Sequence, residues 1–140
     1  MPIINIKSQN LKREGPVMDI VVSASERMAK GKLGLPTETI SLKALIDTGA
    51  SCSALSSAVI KQLALEPVGE SLMNTPSHSK VPCKIFDIRM IMPDNVRVKS
   101  VLVIEAPLEG QNIQCLIGRD ILGLGILVYN GQEGLFSLSF

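Results

Sequence analysis

The chain has 140 residues, a length that suits one compact domain. Apolar residues make up 46% of it and aromatic residues only 3%, so the sequence predicts a largely aliphatic core. Because 14 Lys and Arg residues nearly balance 13 Asp and Glu residues, the net charge of +1 favours neither a nucleic-acid partner nor an anionic membrane. No apolar run approaches the roughly 18 residues of a membrane-spanning helix.

The cysteines and the single histidine predict no metal site and no cofactor. Cys52, Cys83 and Cys115 are odd in number and widely spaced, so they form neither a disulfide framework nor a CxxC pair. One histidine, His78, and scattered cysteines do not supply the clustered ligands that zinc requires. The N-terminus lacks a basic region followed by a long apolar stretch, and together these features favour a reducing cytoplasm.

The predicted elements are many short strands joined by turns, with one or two short helices. Residues 1–16 are predicted to form an N-terminal arm, either flexible or an edge strand, and residues 17–140 a single domain. A helix is predicted over residues 58–65, capped by Ser56 or Ser57. The pattern is typical of an all-β barrel or a sandwich-like domain. Strands are predicted over residues 17–25, 39–46, 70–74, 81–92, 96–106, 113–117, 126–129 and 135–140.

A polar, turn-prone segment separates the strands at residues 70–74 and 81–92. Its proline and serines are typical of a turn, so the two strands are predicted to be the arms of a hairpin. The dipeptide Asn130-Gly131 predicts a second hairpin, between residues 126–129 and 135–140. The tip of the first hairpin consists of Thr75, Pro76, Ser77, His78, Ser79 and Lys80.

The strongest chemical signal is the segment Leu45-Ile46-Asp47-Thr48-Gly49-Ala50, which occurs once. It places an aspartate on a tight turn directly after a buried strand. Two carboxyl groups that share one proton can activate water and polarise a carbonyl, because one is ionised as general base and the other protonated as general acid. Since the sequence carries the motif once, a second copy of the chain has to supply the second carboxylate. The motif thus predicts a site that a homodimer completes.

A second segment repeats the arrangement of an apolar strand, a glycine turn and a short helix. It runs Leu116-Ile117-Gly118-Arg119-Asp120 and leads into a predicted helix at Ile121-Leu122. Because the first segment alone carries Asp-Thr before its glycine, the repeat suggests a pseudo-duplicated domain in which one half keeps the chemistry. Asp120 is predicted to cap the short helix rather than to act as a second catalytic carboxylate. We refer to residues 116–120 as the second motif.

With both motifs present and a hairpin between them, the chain resembles the retropepsins, the retroviral-type aspartic proteases, over residues 18–140. The resemblance implies an all-β fold, a closed barrel with a flap hairpin and one or two short helices. It also implies a homodimeric endopeptidase that cleaves extended peptide or protein substrates. Water would be activated between the two copies of Asp47, without a metal or another cofactor.

The resemblance also assigns roles to individual residues. Asp47 would be catalytic, and Thr48, Gly49 and Ala50 would form the active-site loop and dimer contacts. The tip of the first hairpin, residues 75–80, would be the flap that covers the substrate. The structural second motif would comprise Ile117, Gly118, Arg119 and Asp120, with Arg119 pairing with an acidic or backbone group near the dimer interface.

The chain departs from viral retropepsins at two places. Viral flaps are glycine-rich, whereas this chain has no glycine between Gly69 and Gly110. Ser51 stands where many viral members carry an acidic residue. We therefore expect a free-standing cellular or bacterial member. Residues 135–140 are the candidate strand for a sheet shared between protomers.

Two other hypotheses stay open at this point. A catalytically weak or inactive retropepsin-fold dimer would act as a peptide-binding or regulatory module, which the unusual flap favours. Alternatively, an unrelated small β-barrel would carry Asp-Thr-Gly by chance. Outside the motifs, Asp87 and Asp94 are predicted to be solvated and Cys115 to be buried.

Overall fold

A computed structural model describes residues 2–30, 38–73 and 81–140. Those residues form ten β-strands, four short α-helices and a 3₁₀ turn at Pro93–Asn95. The helices are α1 (Leu11–Glu14), α2 (Glu26–Lys30), α3 (Ser57–Gln62) and α4 (Arg119–Leu122). The strands are β1 (Ile3–Lys7), β2 (Val17–Ala24), β3 (Thr39–Ile46), β4 (Ala54–Ser56), β5 (Gly69–Met73), β6 (Val81–Met92), β7 (Val96–Ala106), β8 (Cys115–Ile117), β9 (Ile126–Asn130) and β10 (Leu135–Ser139).

Six of the described strands close into a barrel in the order β2-β3-β8-β4-β7-β6, and a pairing between β2 and β6 completes the ring. Closure pairs both edges of each strand in the ring, so the barrel is stable although several strands are short. β5 pairs with β6 and extends the sheet beyond the ring. This architecture confirms the predicted all-β barrel, rather than the sandwich alternative.

The barrel encloses an aliphatic core because its long strands alternate between inward and outward side chains. On β2, Met18 and Ile20 are buried, while Asp19 between them is exposed. Met18 lies opposite Ala44 of β3, and Ile20 opposite Leu42, so apolar side chains of both strands share the inner face. Most members of the core cluster are Ile, Leu, Val or Met, in line with the composition.

A separate three-stranded sheet in the described residues joins the two ends of the chain, in the order β1-β10-β9. Ile4 of β1 lies opposite Leu138 of β10, and both are buried in the core. Residues 3–7 of the N-terminal arm are thus a paired edge strand. β10 is flanked by β1 and β9, so both of its edges are paired within the chain. That residues 135–140 take part in a sheet shared between protomers stays a prediction.

Asp87 on β6 is buried, with 4% of its surface exposed, so the prediction of a solvated side chain is wrong. Its carboxylate accepts a hydrogen bond from Ser100 Oγ at 2.6 Å. It also forms an ion pair with Arg27 Nη2 of α2 at 3.2 Å. These two partners compensate for the desolvation of the charge. Asp94 is exposed in the 3₁₀ turn, as predicted.

The helices are short and their ends are set by local hydrogen bonds. α3 begins after the N-cap Ser56, whose side chain accepts a hydrogen bond from Val59 N at 3.3 Å. Of the two predicted caps, the structure therefore uses Ser56 rather than Ser57. No helix in the described ranges is long and apolar enough to span a membrane.

Candidate active site

Asp47 lies directly after Ile46, the last residue of β3. β3 runs parallel to β8, and Ile46 is in register with Ile117. The backbone amide of Asp47 donates to Ile117 O at 2.9 Å, which extends this pairing by one residue. Since Ile46 and Ile117 are buried, the aspartate projects from a packed and hydrogen-bonded base. The predicted position after a buried strand is confirmed.

The turn after Asp47 holds the carboxylate in place. Gly49 N donates to Asp47 Oδ1 at 2.9 Å, and Ala50 N donates to Asp47 O at 3.2 Å. A Cβ atom at position 49 would lie 3.1 Å from Asp47 Oδ1, which is tighter than most Cβ contacts. Glycine therefore lets this amide approach the carboxylate, and the charge-assisted hydrogen bond orients it.

The second motif holds this turn through Arg119. We call residues 47–53 the Asp47 loop. Arg119 Nη1 donates to Thr48 O at 2.7 Å, and Arg119 N donates to Ala50 O at 2.9 Å. Of the two kinds of partner expected for Arg119, the guanidinium binds a backbone group. Because two donors of one residue bind the loop on both sides of Gly49, Arg119 restricts the turn that carries Asp47.

Asp120 holds the far end of the Asp47 loop. Its carboxylate accepts hydrogen bonds from Ser53 N at 2.9 Å, Ser53 Oγ at 2.8 Å and Ile121 N at 2.9 Å. Gly118 occupies the N-cap position of α4, so the prediction that Asp120 is the cap is wrong. Since both of its carboxylate oxygens accept hydrogen bonds, Asp120 is poorly suited to act as a second catalytic carboxylate within the chain.

Ser53 is a site residue that the sequence analysis missed. It is completely buried, and its hydroxyl accepts a hydrogen bond from Gly118 N at 3.0 Å while it donates to Asp120. One serine thus connects the Asp47 loop to two residues of the second motif. The only signal in the sequence is its place directly before the apolar pair Ala54-Leu55, which also lies in the interior.

Gly118 brings the second motif into direct contact with the Asp47 loop. A Cβ atom at position 118 would lie 2.7 Å from both Cys52 C and Cys52 O, and 3.0 Å from Ala50 O. Because these neighbours are backbone atoms, a larger residue would have to move the loop itself. The close packing of the second motif against the Asp47 loop therefore requires glycine at position 118.

In a single chain the Asp47 loop lies at the surface. Thr48 and Gly49 are exposed, and Asp47 and Ala50 are half-buried. The carboxylate of Asp47 is therefore accessible to a substrate or to a second carboxylate. Because Asp120 is engaged by Ser53, the acidic residue of the second motif is not available to share a proton with Asp47.

Cys52 and Cys115 do not supply an alternative nucleophile. Burial raises the pKa of the Cys115 thiol to about 12, and the charge of Asp120 adds to this effect. Burial also raises the pKa of Cys52, opposed by a hydrogen bond with Ser51 and reinforced by the charges of Asp120 and Cys83. Both thiols are therefore protonated at neutral pH, whereas the thiolate is the reactive form. Across the described parts of the chain, no three His, Cys, Asp or Glu side chains gather into a potential metal site.

The structure describes the two arms of the hairpin that is predicted to cover the site. β5 and β6 pair in antiparallel fashion, with Ser71 opposite Cys83. The tip predicted as the flap, residues 75–80, lies outside the described residues.

The chain is similar to known proteins in both sequence pattern and fold. The family model of aspartyl proteases matches residues 34–121, which is more than half of the chain. The match includes Asp47 and the whole second motif. No curated protein matches the chain in sequence.

Solved structures share the fold at low sequence identity. A retropepsin-like aspartic protease from Rickettsia conorii has a TM-score of 0.51 at 15% identity, over 88% of this chain and 91% of that one. The EIAV protease in complex with the inhibitor HBY-793 has a TM-score of 0.53 at 17% identity, over 83% and 91%. The simian foamy virus (mac) protease has a TM-score of 0.50 at 16% identity, over 77% and 92%. At these identities the likeness shows the fold alone.

Proposed function

This chain belongs to the aspartyl protease family and has a retropepsin-like fold, and we propose that it is a homodimeric endopeptidase. In this proposal, water is activated between Asp47 of one protomer and the partner's Asp47. The observation that carries it is the geometry of the Asp47 loop. Its half-buried carboxylate is oriented by Gly49 N at 2.9 Å, and the loop is held by Arg119 and Asp120. A pair of aspartates shared between two protomers needs one such preorganised carboxylate from each of them.

The reaction follows from two carboxyl groups at hydrogen-bonding distance. They cannot both ionise, so the pair holds one proton. The ionised member takes a proton from water, whose oxygen attacks the carbonyl carbon, while the protonated member donates to the carbonyl oxygen. When the tetrahedral intermediate collapses, the C–N bond breaks and the carboxyl group that took the proton from water donates it to the leaving amine. The other carboxylate takes the hydroxyl proton back as the C=O bond forms again. The products are a new carboxyl terminus and a new amino terminus.

An extended segment of peptide or protein is the substrate that this site accommodates best. Such a segment would bind as an added strand, since main-chain hydrogen bonds give affinity without demanding one sequence. The hairpin of β5 and β6 would close over it and exclude water. We also propose a cytoplasmic location, because Cys52, Cys83 and Cys115 are all free thiols.

Replacing the catalytic carboxylate tests the proposal. Asp47→Asn keeps the shape of the side chain but removes the ionisable group, so we expect cleavage to be abolished and the fold retained. Asp19→Asn is the matched control, because Asp19 is exposed and pairs with Lys43 of β3 rather than with the Asp47 loop.

Cleavage of a peptide library at about pH 3–7, followed by mass spectrometry, measures the effect. Circular dichroism and sedimentation report whether each variant keeps its fold and its mass. Cleavage by Asp47→Asn at the rate of Asp19→Asn would overturn the assignment of Asp47.

A second function, a peptide-binding or regulatory module without proteolysis, is favoured by one observation. The chain has no glycine between Gly69 and Gly110, so the flap lacks the residue type that gives backbone the widest conformational freedom. Peptide binding by the wild-type protein without any cleavage over the same pH range would favour this module over the protease.

A further inference from the structure

A cavity of about 300 Å³ lies on the outside of the barrel, where β2 ends and α2 begins. Three basic side chains line it, Arg89 of β6 and Arg97 and Lys99 of β7. We call these three residues the basic patch. The other lining residues are Ala24, Glu26 and Ala29. With three basic groups and one acidic group in its wall, the cavity is electropositive.

Strand geometry places the basic patch on the outer face of the barrel. Val98 packs against the core, so Arg97 and Lys99 on either side of it point outward, and both are exposed. Met90 of β6 lies opposite Val98 and is completely buried, so Arg89 directly before it also points outward. The three basic side chains therefore gather on one face, across two neighbouring strands.

The basic patch does not serve the stability of the barrel. Like charges on neighbouring strands repel each other, and the composition does not force them together, because the whole chain has a net charge of only +1. In the described part of the chain, neither Arg89 nor Lys99 forms an ion pair. The single carboxylate of β6, Asp87, is paired with Arg27 at 3.2 Å. An anionic ligand would relieve this repulsion.

We propose that the basic patch binds an acidic segment of a protein substrate in extended conformation. The inference rests on the proposed function for the identity of this occupant, and it adds a contact outside the Asp47 loop. Arginine suits a carboxylate, because the planar guanidinium can donate two parallel hydrogen bonds to it. Arg97 Nε donates to Asn95 Oδ1 at 3.1 Å, which orients the side chain and leaves its two terminal nitrogens for a ligand.

The spacing of the basic patch matches an extended acidic segment. Arg97 and Lys99 are alternate residues of one strand, so their Cα atoms lie about 7 Å apart. Alternate side chains of an extended peptide have the same spacing, so Asp or Glu at every second position would meet both residues. Nucleic acid fits less well, because single-stranded binding sites add aromatic side chains for base stacking and the lining contains none.

The length of β2 separates the basic patch from the Asp47 loop. Val17 at the start of β2 lies opposite Leu45, whereas Ser23 near its end lies opposite Arg89. From Val17 to Ser23 the strand rises about 20 Å. In one substrate chain, at least about six extended residues would therefore join the acidic segment to the cleaved segment. Binding of the first would raise the effective concentration of the second near Asp47.

The double variant Arg97→Gln/Lys99→Gln tests the basic patch, and Lys12→Gln/Lys61→Gln is its matched control. Both remove two positive charges from exposed side chains, but Lys12 and Lys61 lie on α1 and α3. The probe is a fluorescein-labelled peptide of alternating Asp and Ser. For the first variant we expect the dissociation constant to rise about tenfold at low ionic strength, because two charge-assisted contacts are lost. The control variant should bind the peptide as the wild type does.

Fluorescence polarisation measures the dissociation constant, and circular dichroism checks that both variants are folded. A second measurement uses the wild type alone. A carbodiimide joins a bound carboxylate to a lysine amine without a spacer, and Lys99 is the one lysine among the lining residues. Mass spectrometry should therefore find the Asp-Ser peptide attached to Lys99. A peptide of alternating Asn and Ser should neither bind nor become attached.

Weaker binding by the basic-patch variant alone, together with attachment at Lys99, supports the proposal. A wild type that does not bind the Asp-Ser peptide overturns it, and so does equal weakening in both double variants or attachment only at other lysines. Tighter binding of a single-stranded oligonucleotide through Arg97 and Lys99 would assign the basic patch to nucleic acid and overturn it too. Failure of the protease proposal is distinguishable, because it appears as missing cleavage by a wild type that still binds the peptide.

Discussion

At the residue scale, Gly118 is the point where the second motif touches the Asp47 loop. Its φ of −94° suits any residue, so the requirement for glycine comes from space alone. A Cβ atom would lie 2.7 Å from the backbone of Cys52. Gly118→Ala should therefore destabilise the fold by about 1–3 kcal/mol, as at other overpacked sites. Denaturation in guanidinium chloride at constant pH measures this change.

Gly69→Ala is the matched control for that substitution. Nothing lies within 4 Å of a Cβ atom at Gly69, so we expect a change within about 0.5 kcal/mol. If the Gly118→Ala variant were as stable as the Gly69→Ala variant, the backbone at Cys52 would be able to move aside without loss of stability. The second motif would then not restrain the Asp47 loop.

The residues of the site differ in how much of their role the sequence reveals. Asp47 and Gly49 follow an apolar strand in a specific pattern, and the chemistry of two carboxyl groups explains both of them. Ser53 and Asp87 are polar residues whose burial depends on partners from distant segments, Asp120 and Arg27. A pattern along one segment does not contain those partners, so it predicts exposure for Asp87 and gives no role to Ser53.

At the element scale, the start of α3 depends on one side chain. Ser56 accepts a hydrogen bond from Val59 N at 3.3 Å, and Ser57 is the first residue of the helix. Ser56→Ala should cost about 1 kcal/mol of stability, the usual effect of losing an N-cap. Ser57→Ala should be neutral or slightly stabilising, because alanine has the highest helix propensity. Thermal unfolding of the two variants under identical conditions makes the comparison, and equal losses would contradict the assignment of the cap.

The length of an element determined whether its sequence pattern was sufficient to predict it. β6 and β7 are long, alternate clearly, and match the predicted ranges in full. β4 has three residues and no alternation, and it forms because β7 and β8 pair with it from both sides. α2 was likewise not predicted, and its Arg27 is bound by Asp87 of β6. Tertiary contacts therefore determined the elements that the sequence missed.

At the scale of the whole molecule, the chain is a closed barrel that, under the proposed function, carries half of an active site. Asp120, the acidic residue of the second motif, is occupied by Ser53 and Ile121. Asp47 is accessible at the surface. If activity belongs to the pair of Asp47 residues, it must depend on which two chains meet, and mixing experiments can measure that dependence.

Mixing the wild type with a threefold excess of Asp47→Asn should reduce cleavage per wild-type chain to about a quarter, provided that subunits exchange. Under random pairing most wild-type chains then meet a variant, and a mixed dimer has one carboxyl group where the reaction needs two. The same excess of Asp19→Asn should leave cleavage undiminished, because its mixed dimers keep both Asp47 residues. Unchanged cleavage in both mixtures, with mixed dimers demonstrated by mass spectrometry, would mean that one Asp47 is sufficient. In that case the proton has to be shared with a group inside a single barrel.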